Sequence, residues 1–558
     1  MAALHAGGNT SLSSDGEAPP PTAVHRHQGG WGAASFIIAT VFGLTVAGGG
    51  WFANLTVFLI NEFNVKRIDA AQISNVVSGC VTFFPVAGAV IADSLLGCFS
   101  VVWISSLISL LGLILLLLIV AVEGLKPPAC PPASNFCAAP STTQYAVLYS
   151  AIALAAIGLG GSRFTLATMG ANQFQEIKHQ STFFNWYYLS FYGAAFISST
   201  AIVYVEDNLG WRWGFGIGIA ANALSLALFF TATPYYFRDK PRGSPFTGLL
   251  RVAVASIRKR KAPISSQPKD YYYGEDDDHI HGVDADIAPT NWFRQLNRAA
   301  LKTEGDTPWK LCSVQQVEDL KSIIRILPLW TSSIFLGTPI GVQLSLTVVQ
   351  ALAADRRLSR SFQFPAGSVP VFSFASTAIG LALINHCLRP MWKKTAGKNP
   401  THLQHIGIGH VFSIASMAVS ALVESRRRSS AVSGHLMSVV WLAPQMVTVG
   451  IGEAFHFPGQ VGLYYQEFPT CLKSLSTAMV ALLVGVAFYM STAVVDFIRR
   501  VTHWLPDNID YGRVDNVYWV MVVIGIINFA YFLAVSWSYQ YRNGEVVNKD
   551  QVVSGEEA

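Results

Sequence analysis

Runs of about twenty largely apolar residues recur twelve times along this chain. They fall near 35–60, 70–94, 99–121, 144–169, 183–205, 211–231, 321–349, 369–388, 402–423, 434–458, 474–498 and 516–540. A bilayer core about 30 Å thick is crossed by about 20 residues of helix. Backbone groups in lipid must be paired within the segment, and the runs lack the strict alternation of a membrane barrel. An all-α membrane protein with twelve transmembrane helices is therefore expected, with the lipid bilayer as its first partner. Composition agrees, since 51% of the 558 residues are hydrophobic and 13% are charged. A soluble domain carries roughly 25% charged residues, so a soluble enzyme is excluded in practice. The net charge of +5, from 38 Lys and Arg against 33 Asp and Glu, is small and dispersed, which gives no footprint for nucleic acid.

The runs divide into two groups of six. The expected units are a polar tail at 1–34, a bundle at 35–235, a polar linker at 236–318, a second bundle at 319–541 and a tail at 542–558. Two six-helix bundles joined by a long linker are the layout of a carrier that works by rocking one bundle against the other. Residues 1–33 are polar and have no apolar export core, so both termini are placed in the cytosol. The short connections carry no clear inside excess of Lys and Arg, so that placement does not rest on the charge rule. The linker contains Arg258-Lys259-Arg260-Lys261 and Glu275-Asp276-Asp277-Asp278. Such charges are expected of a solvated loop, and a signalling receptor is the competing reading of them.

A charge at membrane depth is a functional candidate by default. The first six runs hold one clear case, Arg163 in Gly158-Leu-Gly160-Gly161-Ser162-Arg163. The last six hold another, Glu453 in Gly450-Ile-Gly452-Glu453-Ala-Phe-His456-Phe-Pro458-Gly459. A cation in one half and an anion in the other suggest a pair across the bundle interface, where substrate would bind. Arginine stays charged at any working pH, so an anionic substrate could displace Glu453 as its partner. A static bridge between the bundles is the alternative. His456, one turn from Glu453, and Tyr192, with a hydroxyl to offer, are further binding candidates. His386 and His410 read as packing residues. Lys321 and Arg325 open the seventh run and fit the inner interface or a gate. Asp93 ends the second run and reads as a gate or cap. Phe183-Phe184-Asn185-Trp186-Tyr187-Tyr188 fits an interfacial aromatic belt. Cys130 and Cys137 share one loop, expected to face outward, and could form a disulfide there. No metal pattern, phosphate loop or catalytic constellation occurs, and Gly214-Phe-Gly216-Ile-Gly218 lies inside an apolar helix. No cofactor and no enzyme activity are expected.

Five stretches carry a resemblance. They are Gly88-Ala-Val-Ile-Ala-Asp93-Ser94-Leu-Leu-Gly97, Gly170-Ala-Asn-Gln-Phe174, Phe183-Phe-Asn185-Trp186-Tyr-Tyr, Asp239-Lys-Pro-Arg-Gly-Ser-Pro245 and the Glu453 segment, followed by Pro469 and Lys473-Ser-Leu-Ser-Thr477. With them the chain resembles the plant nitrate/peptide transporter family, the plant arm of the proton-coupled oligopeptide transporters in the major facilitator superfamily. Asn54-Leu-Thr-Val-Phe-Leu-Ile and Ala71-Gln-Ile-Ser-Asn-Val-Val look like the nitrate-excretion subgroup. The resemblance implies the major facilitator fold. It also aligns the family's cross-bundle Lys and Glu with Arg163 and Glu453. Two departures stand out. Where relatives carry ExxER in the first span, this chain reads Val41-Phe-Gly-Leu44-Thr45, and no residue from 32 to 61 is acidic or basic. Thr45 is kept as a candidate substrate contact. Where some nitrate-transporting relatives place a histidine in the seventh span, Ile340 stands. Loss of the first-span carboxylates leaves a positive pocket. The expectation is a carrier of a small anion, nitrate first, with weak proton coupling and net efflux. Chloride or a larger organic anion, such as a glucosinolate or a hormone conjugate, is the rival substrate. The plasma membrane is favoured over the vacuolar membrane.

Overall fold

The computed structural model describes residues 29–128, 138–174, 176–238, 245–274, 289–302, 309–360, 362–397, 400–468 and 473–539. Cys130, Cys137 and the acidic run at 275–278 lie outside them. The twelve apolar runs fall largely on helix. In the first half these are α1 (Gly30–Ala53), α2 (Leu55–Phe63), α3 (Arg67–Ile91), α4 (Gly97–Ala121), α5 (Thr142–Ala171), α6 (Ile177–Ile197), α7 (Val203–Asn208) and α8 (Trp211–Thr231). The linker contributes α9 (Pro245–Arg258). The second half holds α10 (Val314–Leu352), α11 (Val371–Leu383), α12 (Arg389–Ala396), α13 (His402–Val432), α14 (Ala443–Glu467), α15 (Lys473–Val501) and α16 (Val514–Ser538). Ten helical stretches among the described residues are long and apolar enough to cross a membrane. One of them, Arg67–Ala121, joins two runs through a π turn at Ala92–Leu96, and Gly97 makes the corner at φ 75°.

Local chemistry sets where several helices begin. Ser141 with Gln144, Ser313 with Gln316 and Thr401 with Gln404 form reciprocal caps on α5, α10 and α13. Each pair satisfies two backbone donors that a helix start would otherwise leave open. In the first half, α1 packs on α8, α6 and α5, while α4 packs on α5 and α8. Small residues let these helices approach: a Cβ on Gly112 would lie 2.4 Å from the Ala155 nitrogen. In the second half, α13 packs on α14 and α16, α11 on α14, and α10 on α15 and α16. The bundles meet where α3 crosses α15 and α10, and where α6 meets α11.

The second bundle is also joined by a buried polar ladder. Gln343 Nε2 donates to Ser420 Oγ at 2.9 Å and to the Gln445 carbonyl at 3.1 Å. Gln445 Nε2 donates to Gln350 Oε1 at 3.0 Å, and Gln350 Nε2 to Glu424 Oε2 at 2.7 Å. Arg427 closes the ladder with Nε 2.8 Å from Glu424 Oε2, Nη2 2.9 Å from Oε1, and Nη1 2.5 Å from Asp510 Oδ1. This corrects two expectations. The ninth run ends near 423 and the tenth begins near 434, which leaves Arg426–Arg428 between spans, but α13 continues to Val432 and Arg427 is 1% exposed. Bidentate pairing with Glu424, three residues earlier, neutralises the charge and lets the helix carry it into the protein. Arg163 and Glu453 are also not the sole deep charges, because α7 carries a buried Glu206 just past the fifth run.

The described part of the linker is built against the foot of α10. Val252 and Ala255 of α9 are buried with Ala299, Ala300, Val314 and Val317. Lys259, from the basic run, is buried and its Nζ donates to the Leu301 carbonyl at 2.6 Å.

Candidate functional site

Arg163 sits on α5 facing α6, and its guanidinium lies over the Phe191 ring at 4.0 Å from the centroid. That ring supplies a face of negative potential and shields the cation from water. Tyr187 fixes the backbone beneath, donating its hydroxyl to the Arg163 carbonyl at 2.5 Å. On the other bundle, Glu453 of α14 faces α11. Ser373 Oγ and Thr377 Oγ1 lie 3.4 and 3.3 Å from Glu453 Oε2. Thr377 has one hydroxyl hydrogen and a nearer acceptor, the Ser373 carbonyl at 2.8 Å. The carboxylate is therefore held loosely and keeps acceptor capacity for a proton or a ligand. Tyr192 follows Phe191 on α6, its ring centroid 5.5 Å from that of the ring beneath Arg163. Helix α6, which carries Tyr192 and the ring under Arg163, meets α11, which carries the hydroxyls at Glu453. The expected Arg163–Glu453 ion pair is not formed, since Glu453 is held by Ser373 and Thr377 of its own bundle.

The remaining candidates fall elsewhere. Thr45 is half-buried on α1, and its carbonyl lies 3.4 Å from the Ser198 hydroxyl of the π turn that follows α6. His456 is buried and turned toward α13: a Cβ on Gly409 would lie 2.7 Å from His456 Cβ, and the His410 ring stands 6.1 Å away. Neither of its ring nitrogens hydrogen-bonds Glu453 or any other described residue. His410 itself stacks on Phe532 at 4.6 Å. Asp93 lies in the π turn between α3 and α4. Ile340 is buried. Arg325 lies over Tyr539, 5.5 Å from the ring centroid.

Lys321 is 2% exposed and serves the linker. Its Nζ donates to the Thr290 carbonyl at 2.8 Å and to Glu318 Oε1 at 2.7 Å. Glu318 in turn accepts from the Thr290 backbone at 3.0 Å. Lys321→Ala is expected to release the segment around Thr290 without touching the Arg163 region. Limited proteolysis would show faster cleavage between 289 and 302, with flux changed by less than about threefold, under 1 kcal/mol. Unchanged cleavage would disprove this tie.

Polar contacts between the bundles cluster at the end opposite the linker. Lys66 Nζ lies 2.6 Å from Asp507, and Arg499 pairs with Asp69. One layer deeper, Gln72 Nε2 donates to the Thr492 carbonyl at 3.3 Å. Asn75 Nδ2 then donates to Ser345 at 3.2 Å and Ser491 at 3.1 Å. Tyr204 stacks on Phe362 at 5.8 Å, and Arg356 Nη1 is 3.9 Å from Asp207. Sequence reading found none of this seal, because each half of every pair is unremarkable until the bundles are brought together.

Comparison with known proteins agrees with this architecture. The sequence profile described as "PTR2: POT family" matches residues 99–513. The chain is 50% identical over 550 residues to Protein NRT1/ PTR FAMILY 2.7 of Arabidopsis thaliana, covering 96% of both chains. It is 49% identical to NRT1/ PTR FAMILY 2.6 of the same plant, covering 97% of this chain and 98% of the relative. Among solved structures, the POT family transporter PepTSo superposes with a TM-score of 0.67 at 16% identity, over 91% of this chain and 98% of that one. An auto-inhibited POT family peptide transporter gives 0.66 at 16%, over 91% and 97%. The helices, the two bundles and these relatives together identify the chain as a membrane transporter of the POT family, in its NRT1/PTR branch.

Proposed function

We propose that this transporter carries a small anion, nitrate first, by alternating access around Arg163, with little coupling to protons through its first span. The observation that carries the reading is the Arg163 guanidinium laid on Phe191, next to Tyr192, on the helix that meets α11 of the other bundle: a fixed positive site. Helix α1 contributes no Asp, Glu, Lys or Arg to balance it. A planar anion can take two hydrogen bonds from the guanidinium edge while the ring covers its face. Tyr192 offers the anion a hydroxyl donor. Glu453, held loosely by Ser373 and Thr377 of the other bundle, is assigned as the acidic group that responds to the anion and to protons. His456 and Thr45 are assigned to the walls behind these groups. The linker and both termini are assigned to the cytosol, and the plasma membrane is favoured over the vacuolar membrane. With a negative cell interior, a weakly coupled anion carrier there runs outward.

Labelled nitrate flux in proteoliposomes, with and without an imposed pH gradient, tests this. Flux is expected to follow the nitrate gradient and to be only weakly suppressed by excess chloride. Strong suppression by a large organic anion would overturn nitrate in favour of that class. Glu453→Gln removes the charge of that acidic group. It is expected to keep flux within about tenfold of wild type, about 1.4 kcal/mol, and to lose any remaining response to the pH gradient. A Glu453→Gln carrier that follows the pH gradient as the wild type does would exclude Glu453 as the proton-responsive group.

A further inference from the structure

At the mouth opposite the linker, two carboxylates from the first bundle are enclosed around one amide. Asn54 stands at the break between α1 and α2, and its Nδ2 donates to Glu206 Oε2 at 3.1 Å and to Asp207 Oδ1 at 3.0 Å. Glu206 is 2% exposed and Asn54 is 0% exposed. Glu206 Oε1 and Asn54 Oδ1 have no hydrogen-bond partner among the described residues.

Glycines from three elements let the backbone close around this group. A Cβ on Gly214 would lie 2.2 Å from Glu206 Cγ, one on Gly50 3.1 Å from Glu206 Oε1, and one on Gly367 2.4 Å from Asn54 Oδ1. Gly367 belongs to the second bundle, so the enclosure is complete only while the bundles are closed here. The backbone is irregular on both sides, with the helix break at Asn54 and the π turn at Ser198–Ile202 just before α7. Such π turns often mark functional positions.

Charge counting then decides the state of the enclosure. It holds two acidic groups, and among the described residues the cation paired with them is Arg356, 3.9 Å from the far oxygen of Asp207. The elements packed on α7 are α8, α1, the π turn and the short turn at Ala366–Ser368. Of these, only α8 carries a charged residue, Arg212, whose Nη2 points to the Val120 and Ala121 carbonyls at 3.5 Å. Asp355 is engaged by the Arg357 backbone nitrogen at 3.0 Å. One negative charge is compensated and the other is not. Two close carboxylates sharing one cation cannot both stay ionised cheaply away from water.

We propose that Glu206 is a proton-binding site: closing the bundles over Asn54 encloses its carboxyl group together with one proton, taken from the compartment which that mouth faces and returned to it on opening. The proton becomes the O–H of the carboxyl group, and no other bond changes. Because it returns to its own side, this site weights the closed state without driving transport, which is compatible with an uncoupled carrier. It rests on the alternating-access reading above but not on nitrate as substrate.

The test is pH-difference infrared spectroscopy of the full-length protein in lipid vesicles. A protonated-carboxyl band is expected in wild type and in Glu453→Gln, and is expected to be lost in Glu206→Gln. A band unchanged in Glu206→Gln, or lost in Asp207→Asn instead, would overturn the assignment. Gly367→Ala gives an independent check, since its new methyl group holds the mouth off Asn54. The Glu206 band is then expected to appear only at lower pH than in wild type, and an unmoved midpoint would overturn the link to closure. Nitrate flux measured on the same vesicles separates the two readings: the band without nitrate transport would overturn nitrate alone.

Discussion

Arg163→Ala is expected to reduce anion flux in proteoliposomes by about ten- to a hundredfold. A hydrogen bond to a charged group contributes about 1.5–3 kcal/mol, and 1.4 kcal/mol is a factor of ten. The loss should be specific to transport. The Arg163 side chain lies over Phe191, whereas Tyr187 bonds the Arg163 carbonyl, which alanine keeps. Thermal unfolding measured alongside flux separates a loss of fold from a loss of transport. Arg163→Lys retains the charge but loses the planar edge and the stack on the ring, so it should fall between wild type and alanine. Wild-type nitrate flux in the alanine variant would sink the assignment of Arg163 as the anion site.

The largest stability effect is expected far from that site. Arg427→Met leaves Glu424 buried, 0% exposed, with its cationic partner gone. Removing one member of a buried ion pair costs about 3–5 kcal/mol. Among the described residues Glu424 would keep the amide of Gln350 at 2.7 Å as its side-chain donor, and Asp510 would lose its 2.5 Å bond. The double variant Glu424→Gln/Arg427→Met should recover much of the loss, because no unpaired buried charge then remains. Reversible unfolding in mixed micelles would measure both. A single-variant cost below about 1 kcal/mol, the range of an exposed pair, would show that the ladder does not bear on stability.

These two arginines also show what the sequence could and could not disclose. Arg163 was legible because it interrupts an apolar run, where a charge has no ordinary explanation. Arg427 was not, because it follows the end of such a run, where charges normally mark a loop. The available signal was spacing: Glu424 and Arg427 stand three apart, on one helical face, and can neutralise each other. Glu206 was hidden in the same way, one residue past the fifth run. His456 shows another limit. Three residues advance a helix by about 300°, leaving about 60° between Glu453 and His456. That is enough to turn one toward α11 and the other toward α13, and no count along the chain decides between those neighbours. The helices themselves were readable because apolar length is a local property, whereas the seal between the bundles depends on residues hundreds of positions apart, such as Asn75 and Ser491.

That seal has two layers of different physical character. Its outer layer is made of exposed ions: in the Lys66–Asp507 pair the side chains are 60% and 49% exposed. Charges so placed are screened over about 8 Å at physiological ionic strength. The layer beneath, where Asn75 meets Ser345 and Ser491, is buried and neutral and has little for dissolved salt to screen. The outer layer is thus a latch whose grip varies with the electrolyte bathing it, set over a catch that does not vary. A rise in salt on that side slackens the latch and leaves the catch engaged, so the electrolyte at that mouth becomes one of the quantities that sets how readily it opens.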